Sequence, residues 1–305
     1  MYYKQWKVDP TGETKIIPDM DIISYHQDVS HISSSWIKEA LVSMNRFLKY
    51  PLRPKGEQVS NTFKIGTAVH SYLMERLKFD DHYVIHRKSD LPFPDSTMAK
   101  KENKAYMDEL KDMSAGKEII DEETMNQIVS MCDSAMESRT VSNYVEHGKI
   151  EHSIFFNCKD TGLPMKTRPD MYVELSNGTI VVLDVKTTDR IAPSEFFSSV
   201  SKYNYPMQAA IQCDGIESST GKKVSMYLYL AMEKKYPYEY CLYRLTEDDI
   251  DFGRSTYRDL LVQIKHACET GEWPMCGRSS IDRKMLDDNK NDIVDIVLPA
   301  YYYGK

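Results

Sequence analysis

The chain has no apolar run approaching the roughly 20 residues that would span a bilayer. Its opening residues, Met1-Tyr2-Tyr3-Lys4-Gln5-Trp6-Lys7, lack the continuous apolar core of a signal peptide. We therefore expect a cytoplasmic protein. At 305 residues and 41% hydrophobic content, the chain can bury a substantial core as one large domain or two modest ones.

Cysteine is scarce, and none of the six residues forms a CxxC pair. This spacing argues against a zinc ribbon and suggests no disulfide framework. We expect reduced thiols that act mostly as small core residues. The six are Cys132, Cys158, Cys213, Cys241, Cys268 and Cys276.

An excess of positive charge is also lacking, since the net charge is −7 and the pI about 5.7. Nucleic-acid binders are usually basic, so the whole-chain charge counts against DNA as a partner. However, enzymes that hold Mg²⁺ concentrate carboxylates, and a local basic channel can steer DNA on an acidic protein. The charge balance therefore leaves a DNA-directed function open.

Hydrophobic periodicity predicts a mainly helical first half, followed by alternating strands and helices. Helices are expected over 35–50, 63–77, 122–138, 194–202, 206–214 and 247–270, and strands over 150–158, 163–175, 179–186, 224–231 and 239–245. Residues 1–30 are expected to be extended or loop, and the polar stretch 88–117 a flexible insertion or exposed helix. Helices flanking a central mixed sheet indicate an α/β or α+β fold. We expect a single domain, with a helical part (1–145), a core (146–270) and a tail (271–305).

Two acidic motifs stand out from this pattern. The first is Arg168-Pro169-Asp170, and the second is Asp184-Val185-Lys186 at the end of an apolar strand. Such charges could belong to a solvated hairpin face. The preceding Val181-Val182-Leu183 is too apolar for a solvated strand, so we interpret the motifs as a functional site.

The lengths of two turns suggest how these acids are aligned. A four-residue loop at Lys159–Gly162 would set Glu151 opposite Asp170, and a three-residue loop at Ser176–Gly178 would set Asp170 opposite Asp184. Directly opposed residues share a sheet face, with Cβ atoms about 4.5–5.5 Å apart. A two-residue turn at 177–178 would instead break this row.

Three adjacent carboxylates are destabilising unless a cation neutralises them, because like charges oppose ionisation. Oxygen ligands of this kind suit Mg²⁺, with Mn²⁺ also possible. A lysine beside the ion, here Lys186, can orient or help deprotonate an attacking water, while the ion stabilises the charged transition state. The row therefore predicts metal-assisted hydrolysis of a phosphodiester.

The Pro169-Asp170 and Asp184-Val185-Lys186 motifs together resemble the PD-(D/E)xK nuclease signature. Four segments in order resemble one branch, the RecE-type exonuclease VIII family of phage and prophage recombination exonucleases. The similarity runs from about Ser33 to Pro299. The four segments are Gly66-Thr67-Ala68-Val69-His70, Thr161–Leu163 with Lys166–Asp170, Asp184–Thr188, and Tyr205-Pro206-Met207-Gln208-Ala209-Ala210.

The resemblance assigns roles by position. The catalytic residues would be Lys186, Asp184, Asp170 and Gln208. The metal would be held by His70, Asp170, Asp184 and the Val185 carbonyl and, from the register argument, by Glu151. Substrate would be contacted by Tyr205, Arg168 and Thr187. His70 is otherwise an ordinary helix-flank histidine, and Gln208 a surface amide. One departure is Ile211, which stands where many related nucleases have the tyrosine of a QxxY motif. Tyr205 could supply an aromatic ring instead.

The resemblance implies a Mg²⁺-dependent exonuclease with two ions that digests linear double-stranded DNA 5′→3′, leaving 3′ overhangs for recombination. It also implies a homo-oligomeric ring, a single-strand annealing partner and a phage or prophage gene expressed in a bacterial cytoplasm. No iron–sulfur cluster is expected, because the cysteine set of cluster-bearing relatives is missing, and no nucleotide cofactor or membrane association is expected. Two alternatives stay open: a structure-specific or restriction-type endonuclease, and a non-catalytic DNA-binding or DNA-mimic protein.

Overall fold

The computed structural model describes residues 13–52 and 61–275, with residues 61–64 described through their backbone alone. The strands are β1 (Lys15–Ile17), β2 (Tyr83–His86), β3 (Glu118–Asp121), β4 (Lys149–Ile150), β5 (Ser153–Asn157), β6 (Pro164–Thr167), β7 (Met171–Glu174), β8 (Ile180–Thr188), β9 (Val224–Glu233) and β10 (Tyr240–Leu245). The helices are α1 (Ile22–Gln27), α2 (Ser34–Ala40), α3 (Met44–Lys49), α4 (Asn61–Met74), α5 (Phe79–His82), α6 (Lys101–Met113), α7 (Glu122–Met136), α8 (Arg139–His147), α9 (Pro193–Lys202), α10 (Tyr205–Thr220) and α11 (Glu247–Thr270).

A five-stranded sheet with the order β10-β9-β8-β7-β4 forms the centre of the fold. β8 and β9 run parallel, and their other neighbours are antiparallel, so the predicted central mixed sheet is confirmed. A three-stranded sheet, β1-β5-β6, and a parallel pair, β2-β3, complete the described strands. No described helix has the length and apolar character needed to cross a membrane.

Strand β8 is buried on both faces, which explains its continuous apolar sequence. Ile180 and Val182 pack into one core with residues of α2, α10 and α11, whereas Val181 and Leu183 pack into a second core with residues of α4 and α7. Side chains alternate along a strand, so Asp184 and Lys186 belong to the same face as Val182. That is the face covered by α10.

The predicted strands 150–158 and 163–175 are each broken in two. β4 and β7 lie in the five-stranded sheet, whereas β5 and β6 lie in the three-stranded sheet. One break is at Glu151, whose φ is 54°. A positive φ is uncommon for a residue with a side chain, and it turns the chain out of the strand direction. The other break is at 168–170, so both breaks coincide with the predicted acidic row.

Other sequence expectations were only partly right. The predicted helix 35–50 is two helices, because the Ser43 side chain caps a new helix by accepting a hydrogen bond from the Arg46 N–H at 3.1 Å. Residues 101–113 form the exposed helix expected within the polar stretch. Strands β2 and β3 and helices α1, α5 and α8 were not expected, and α1 lies within the predicted extended or loop segment 1–30. The predicted tail, residues 271–305, lies mostly outside the described residues, which end at Met275.

Gly253 sets the distance between the two helices that support the site, α10 and α11. A Cβ at this position would lie 2.2 Å from the carbonyl oxygen of Pro206, closer than any van der Waals contact allows. Glycine within a helix costs about 1 kcal/mol relative to alanine, so its presence in α11 is explained by this approach. The position of the first turn of α10, which carries Tyr205 and Gln208, therefore requires a residue without a side chain at 253.

Replacing Gly253 by alanine is expected to lower the free energy of unfolding by about 1–3 kcal/mol, because the clash with backbone atoms outweighs the gain in helix propensity. Urea denaturation measures this change. Ser255→Ala, at an exposed position of the same helix, is the matched control and should shift stability by less than about 0.5 kcal/mol. A Gly253→Ala protein as stable as the wild type would contradict the packing argument.

Candidate active site

The predicted register of the acidic row is confirmed. Ile150 pairs with Met171, and the Glu151 N–H donates to the Asp170 carbonyl at 3.0 Å, which sets these two acids opposite each other. Met171 pairs with Leu183, so Asp170 follows in line with Asp184. The three-residue loop is present as well, since the Leu175 N–H donates to Thr179 across it at 2.8 Å.

Three potential ligands converge at one end of this row. Ligand atoms of His70, Glu151 and Asp170 all lie within 4.8 Å of one another. His70 Nε2 lies 2.8 Å from the Val185 carbonyl oxygen, and Asp170 Oδ2 accepts the Val185 N–H at 2.7 Å. Four of the five predicted metal-binding groups are therefore adjacent, including the backbone carbonyl.

Helix α4 brings His70 to this point by lying close against β8. A Cβ on Gly66 would be only 3.3 Å from Thr187 Oγ1, which is tighter than ordinary contact. One turn later on the same helix, His70 reaches the carbonyl of Val185, two residues before Thr187. Within the segment Gly66–His70, the glycine thus allows α4 to lie close to β8, and the histidine contacts the Val185 carbonyl from this position.

Arg168 holds Glu151 in place. Its Nε donates to Glu151 Oε2, and its Nη1 donates to the Met20 carbonyl at 2.7 Å and to Ser153 Oγ at 2.9 Å. With these donors committed inside the protein, a positioning role is favoured over the expected contact with substrate. The guanidinium also supplies positive charge beside the strained backbone of Glu151.

Asp184 lies next to the ligand cluster and is fully buried. Its Oδ1 contacts the ammonium of Lys186, and its Oδ2 accepts from Gln208 Nε2 at 3.2 Å. The Tyr227 hydroxyl lies 3.1 Å from the same Oδ2 and 2.6 Å from Gln212 Oε1, and its single proton can serve one of them at a time. These contacts fix the orientation of the carboxylate.

Burial affects the charges of Asp170 and Lys186 in different ways. The pKa of Asp170 is raised to about 6, mainly by burial and in part by the neighbouring Asp184, against the opposing effect of His70. Burial opposes the charged form of Lys186, but Asp184 and Asp170 outweigh it and hold the lysine pKa above its ordinary value. Lys186 is therefore a cation at neutral pH, whereas the negative charge of the Asp170 carboxylate is only partly compensated by neighbouring positive charge.

The residues present fit a divalent cation with hard ligands. Mg²⁺ ligands stand about 2.1 Å from the ion in near-octahedral geometry, so adjacent ligands are roughly 3 Å apart. His70 Nε2 and the Val185 carbonyl oxygen, at 2.8 Å, have a separation of that size. Ligation by His70 Nε2 requires its proton on Nδ1, which lies 3.5 Å from Asp170 Oδ2.

The predicted substrate residues have different placements. Tyr205 is half-buried, and its ring centroid is 5.1 Å from Lys186 Nζ, so it borders the site. Thr187 lies on the opposite face of β8 from Asp184, beneath Gly66, which favours packing over substrate contact. Ile211 is fully buried in the core, and the phenol that contacts Asp184 comes from β9 instead, at Tyr227.

Sequence reasoning missed three residues around the site. Tyr227 is buried in strand β9, and its hydroxyl reaches Asp184. Gln212 follows Gln208 by one helical turn, and that spacing was a signal that could have identified it. Lys38 on α2 has its Nζ 5.9 Å from the Tyr205 ring centroid, and no sequence motif marked it.

With the geometry established, the comparison with family models is decisive. Residues 33–284 match the model of the PDDEXK-like domain of unknown function, DUF3799. This chain belongs to the DUF3799 family. The match covers every site residue above and accounts for the predicted PD-(D/E)xK core. No curated protein matches this DUF3799 chain.

One solved structure supports the fold. A protein from Eubacterium rectale, described as a candidate exonuclease, has a crystal structure that matches this DUF3799 chain with a TM-score of 0.58 at 12% identity, over 93% of this chain and 98% of that one. The structure of SSO0001 matches 65% of this chain and 84% of its own at 14% identity, with a TM-score of 0.29, which is too low to indicate a shared fold.

The Asp170 environment predicts how stability depends on pH and metal. A raised folded-state pKa stabilises the protein below the unfolded value near 3.8, and this contribution is lost as the pH rises through about 6. Asp170→Asn, which keeps the acceptor for Val185 without the charge, should therefore be more stable than wild type at pH 7.5 without metal, by about 1–3 kcal/mol. The gap should narrow toward pH 5.

Thermal unfolding at both pH values, with and without Mg²⁺, measures this effect. Mg²⁺ should stabilise the wild type at pH 7.5 and leave Asp170→Asn unchanged, because only the native carboxylate binds the ion. Asp259→Asn, at an exposed position of α11, is the control and should match wild type throughout. Equal Mg²⁺ stabilisation of wild type and Asp170→Asn would contradict the assignment.

Proposed function

We propose that this protein is a metal-dependent deoxyribonuclease that hydrolyses phosphodiester bonds of linear double-stranded DNA as an exonuclease. The observation that carries the proposal is the convergence of His70, Glu151 and Asp170 beside the buried Asp184–Lys186 pair. Stability does not require this set. Buried acids that share a site disfavour ionisation, and a cation with a phosphate substrate would relieve that cost.

Each residue has a role in this proposal. His70, Glu151, Asp170 and the Val185 carbonyl would hold a divalent ion, which supplies charge stabilisation to the phosphate under attack. Asp184 would complete that site or hold a second ion, with Gln208 fixing its carboxylate. Lys186, cationic as placed, would orient the attacking water and stabilise the negative charge that develops.

The finer features come from the RecE-type resemblance and belong to the same proposal. They are 5′→3′ polarity, 3′ overhangs for recombination, a homo-oligomeric ring around DNA, a single-strand annealing partner, and a phage or prophage origin. An endonuclease would use the same residues, so the requirement for a DNA end separates the two activities. A non-catalytic DNA-binding protein would show no metal-dependent cleavage of DNA.

End-labelled linear duplex and covalently closed circular DNA, each incubated with Mg²⁺, test the proposal. The wild type is expected to release nucleotides from the 5′ end of linear DNA and to leave the closed circle intact. Asp184→Asn and Lys186→Met should each lower the rate at least about a hundredfold, because each removes a charge from the reacting centre. The exposed Asp259→Asn variant is the control and should retain full activity.

The outcomes separate the candidates. Linearisation of closed circles would favour the endonuclease, and release from the 3′ end would overturn the proposed polarity. DNA binding with no Mg²⁺-dependent cleavage of either substrate would overturn the proposal of a nuclease. Full activity of Lys186→Met would leave the fold in place but contradict the role of the lysine.

A further inference from the structure

Lys38 approaches the candidate active site from a helix that carries none of the family-like motifs. Its Nζ lies 5.9 Å from the ring centroid of Tyr205, and Lys186 Nζ lies 5.1 Å from the same centroid. Both ammonium groups therefore border one aromatic ring, at the side of the site next to Asp184.

Helix α2 is held firmly in this position. The backbone before it pairs with β6, where the Ile32 N–H donates to the Pro164 carbonyl at 2.8 Å. Ser33 caps the helix, and the buried Trp36 donates its indole N–H to the Phe47 carbonyl at 2.7 Å. Lys38 is thus presented by a fixed element and is itself half-buried.

Lys38 differs from the other lysines that are withdrawn from solvent. Lys166 pairs with Asp28, Lys186 with Asp184, and Lys234 with Asp189. Within residues 13–52 and 61–275, by contrast, the Lys38 ammonium has no carboxylate partner, and its contact is the face of Tyr205. A cation that loses water without gaining an anion is destabilised.

The titration behaviour agrees with this geometry. Burial, and to a smaller extent the positive charge of Lys186, lowers the pKa of Lys38 to about 8 against the attraction of Asp184. The side of the site between the two lysines therefore has an excess of positive charge. An anion placed there would be bound by both ammonium groups.

Resting on the proposed function, we propose that Lys38 and Lys186 bind the phosphodiester under attack from two sides, with Lys38 as a substrate-binding residue of the same site. A phosphodiester has two non-bridging oxygens, so each ammonium can donate to a separate oxygen. The ligand class is a backbone phosphate of DNA.

The rival account is that Lys38 extends along apolar surface toward water and contributes only packing. Lys38→Ala would then affect stability, but not the dependence of DNA binding on phosphate charge. Lys38→Arg, which keeps the charge on a longer side chain, separates the two accounts, because it should restore phosphate binding without restoring the original packing.

The test measures DNA affinity by fluorescence anisotropy, with Ca²⁺ in place of Mg²⁺. The probes are duplexes that carry either normal linkages or one neutral methylphosphonate at the first, second or third linkage from the end. Lys38→Ala should weaken binding to normal duplex about ten- to a hundredfold, as expected for loss of a charge-assisted hydrogen bond. On one of the modified duplexes, Lys38→Ala should bind with the same affinity as the wild type, because the phosphate charge that Lys38 contacts is already missing there.

The controls make the outcome specific. Lys49→Ala removes an exposed lysine from the next helix and should change affinity less than about twofold. Lys38→Arg should recover most of the affinity, and the salt dependence of binding should become shallower in Lys38→Ala by about one charge.

Two results would overturn the inference. One is equal affinity of wild type and Lys38→Ala for normal duplex, and the other is a loss of affinity in Lys38→Ala, relative to wild type, on all three modified duplexes. Failure of the wild type to cleave DNA in Mg²⁺ would instead contradict the proposed function, which this binding assay does not measure.

Discussion

The structure depends on a bend in one hairpin, where two long strands leave the five-stranded sheet and enter the three-stranded sheet. The bend is held by a backbone hydrogen bond from Glu151 to Asp170 and by Arg168, which ties Glu151 to Ser153 and Met20. The positive φ of Glu151 is a local cost of order 1 kcal/mol or more, and these contacts offset it. Without the bend, the acids would be ordinary members of a continuous ladder.

Around this bend, the protein tolerates interactions that are unfavourable in isolation. Asp170 is a buried acid beside a second acid, and Lys38 is a half-buried ammonium beside Lys186. The uncompensated charge at each place is opposite in sign to the proposed ligand. A cation is proposed at the acids, and a phosphate at the lysines. The two imbalances are adjacent, so metal and substrate would compensate them together. Such uncompensated charge is typical of sites that favour binding over stability.

Much of the centre was predictable because turn length specifies strand pairing. Ser176–Gly178 allowed only a few registers, and the one that clusters Asp170 with Asp184 is the one observed. The bend at Glu151 was not predictable, because the apolar alternation continues on both sides of it. Helix α2 was predicted too long, since the capping role of Ser43 is local chemistry that the apolar pattern obscured.

The contributions of distant segments were the hardest to predict. His70 was found through its resemblance to a family motif, whereas Lys38 has no motif and becomes visible only when α2 packs beside Tyr205. Tyr227 carries no motif either, because strand alternation reports which face a side chain occupies, but not what its hydroxyl reaches. Long-range packing, rather than local propensity, decides all three positions.

The most direct test of the central claim is anomalous diffraction from crystals grown with Mn²⁺, which can replace Mg²⁺ at oxygen-rich sites. The account predicts an anomalous peak about 2.1 Å from His70 Nε2, a carboxylate oxygen of Asp170 and the Val185 carbonyl. Glu151 should lie close enough to ligate the ion directly or through water. Crystals with Mn²⁺ bound elsewhere, and with the His70–Val185 hydrogen bond intact, would contradict the claim that the bent hairpin builds a metal centre.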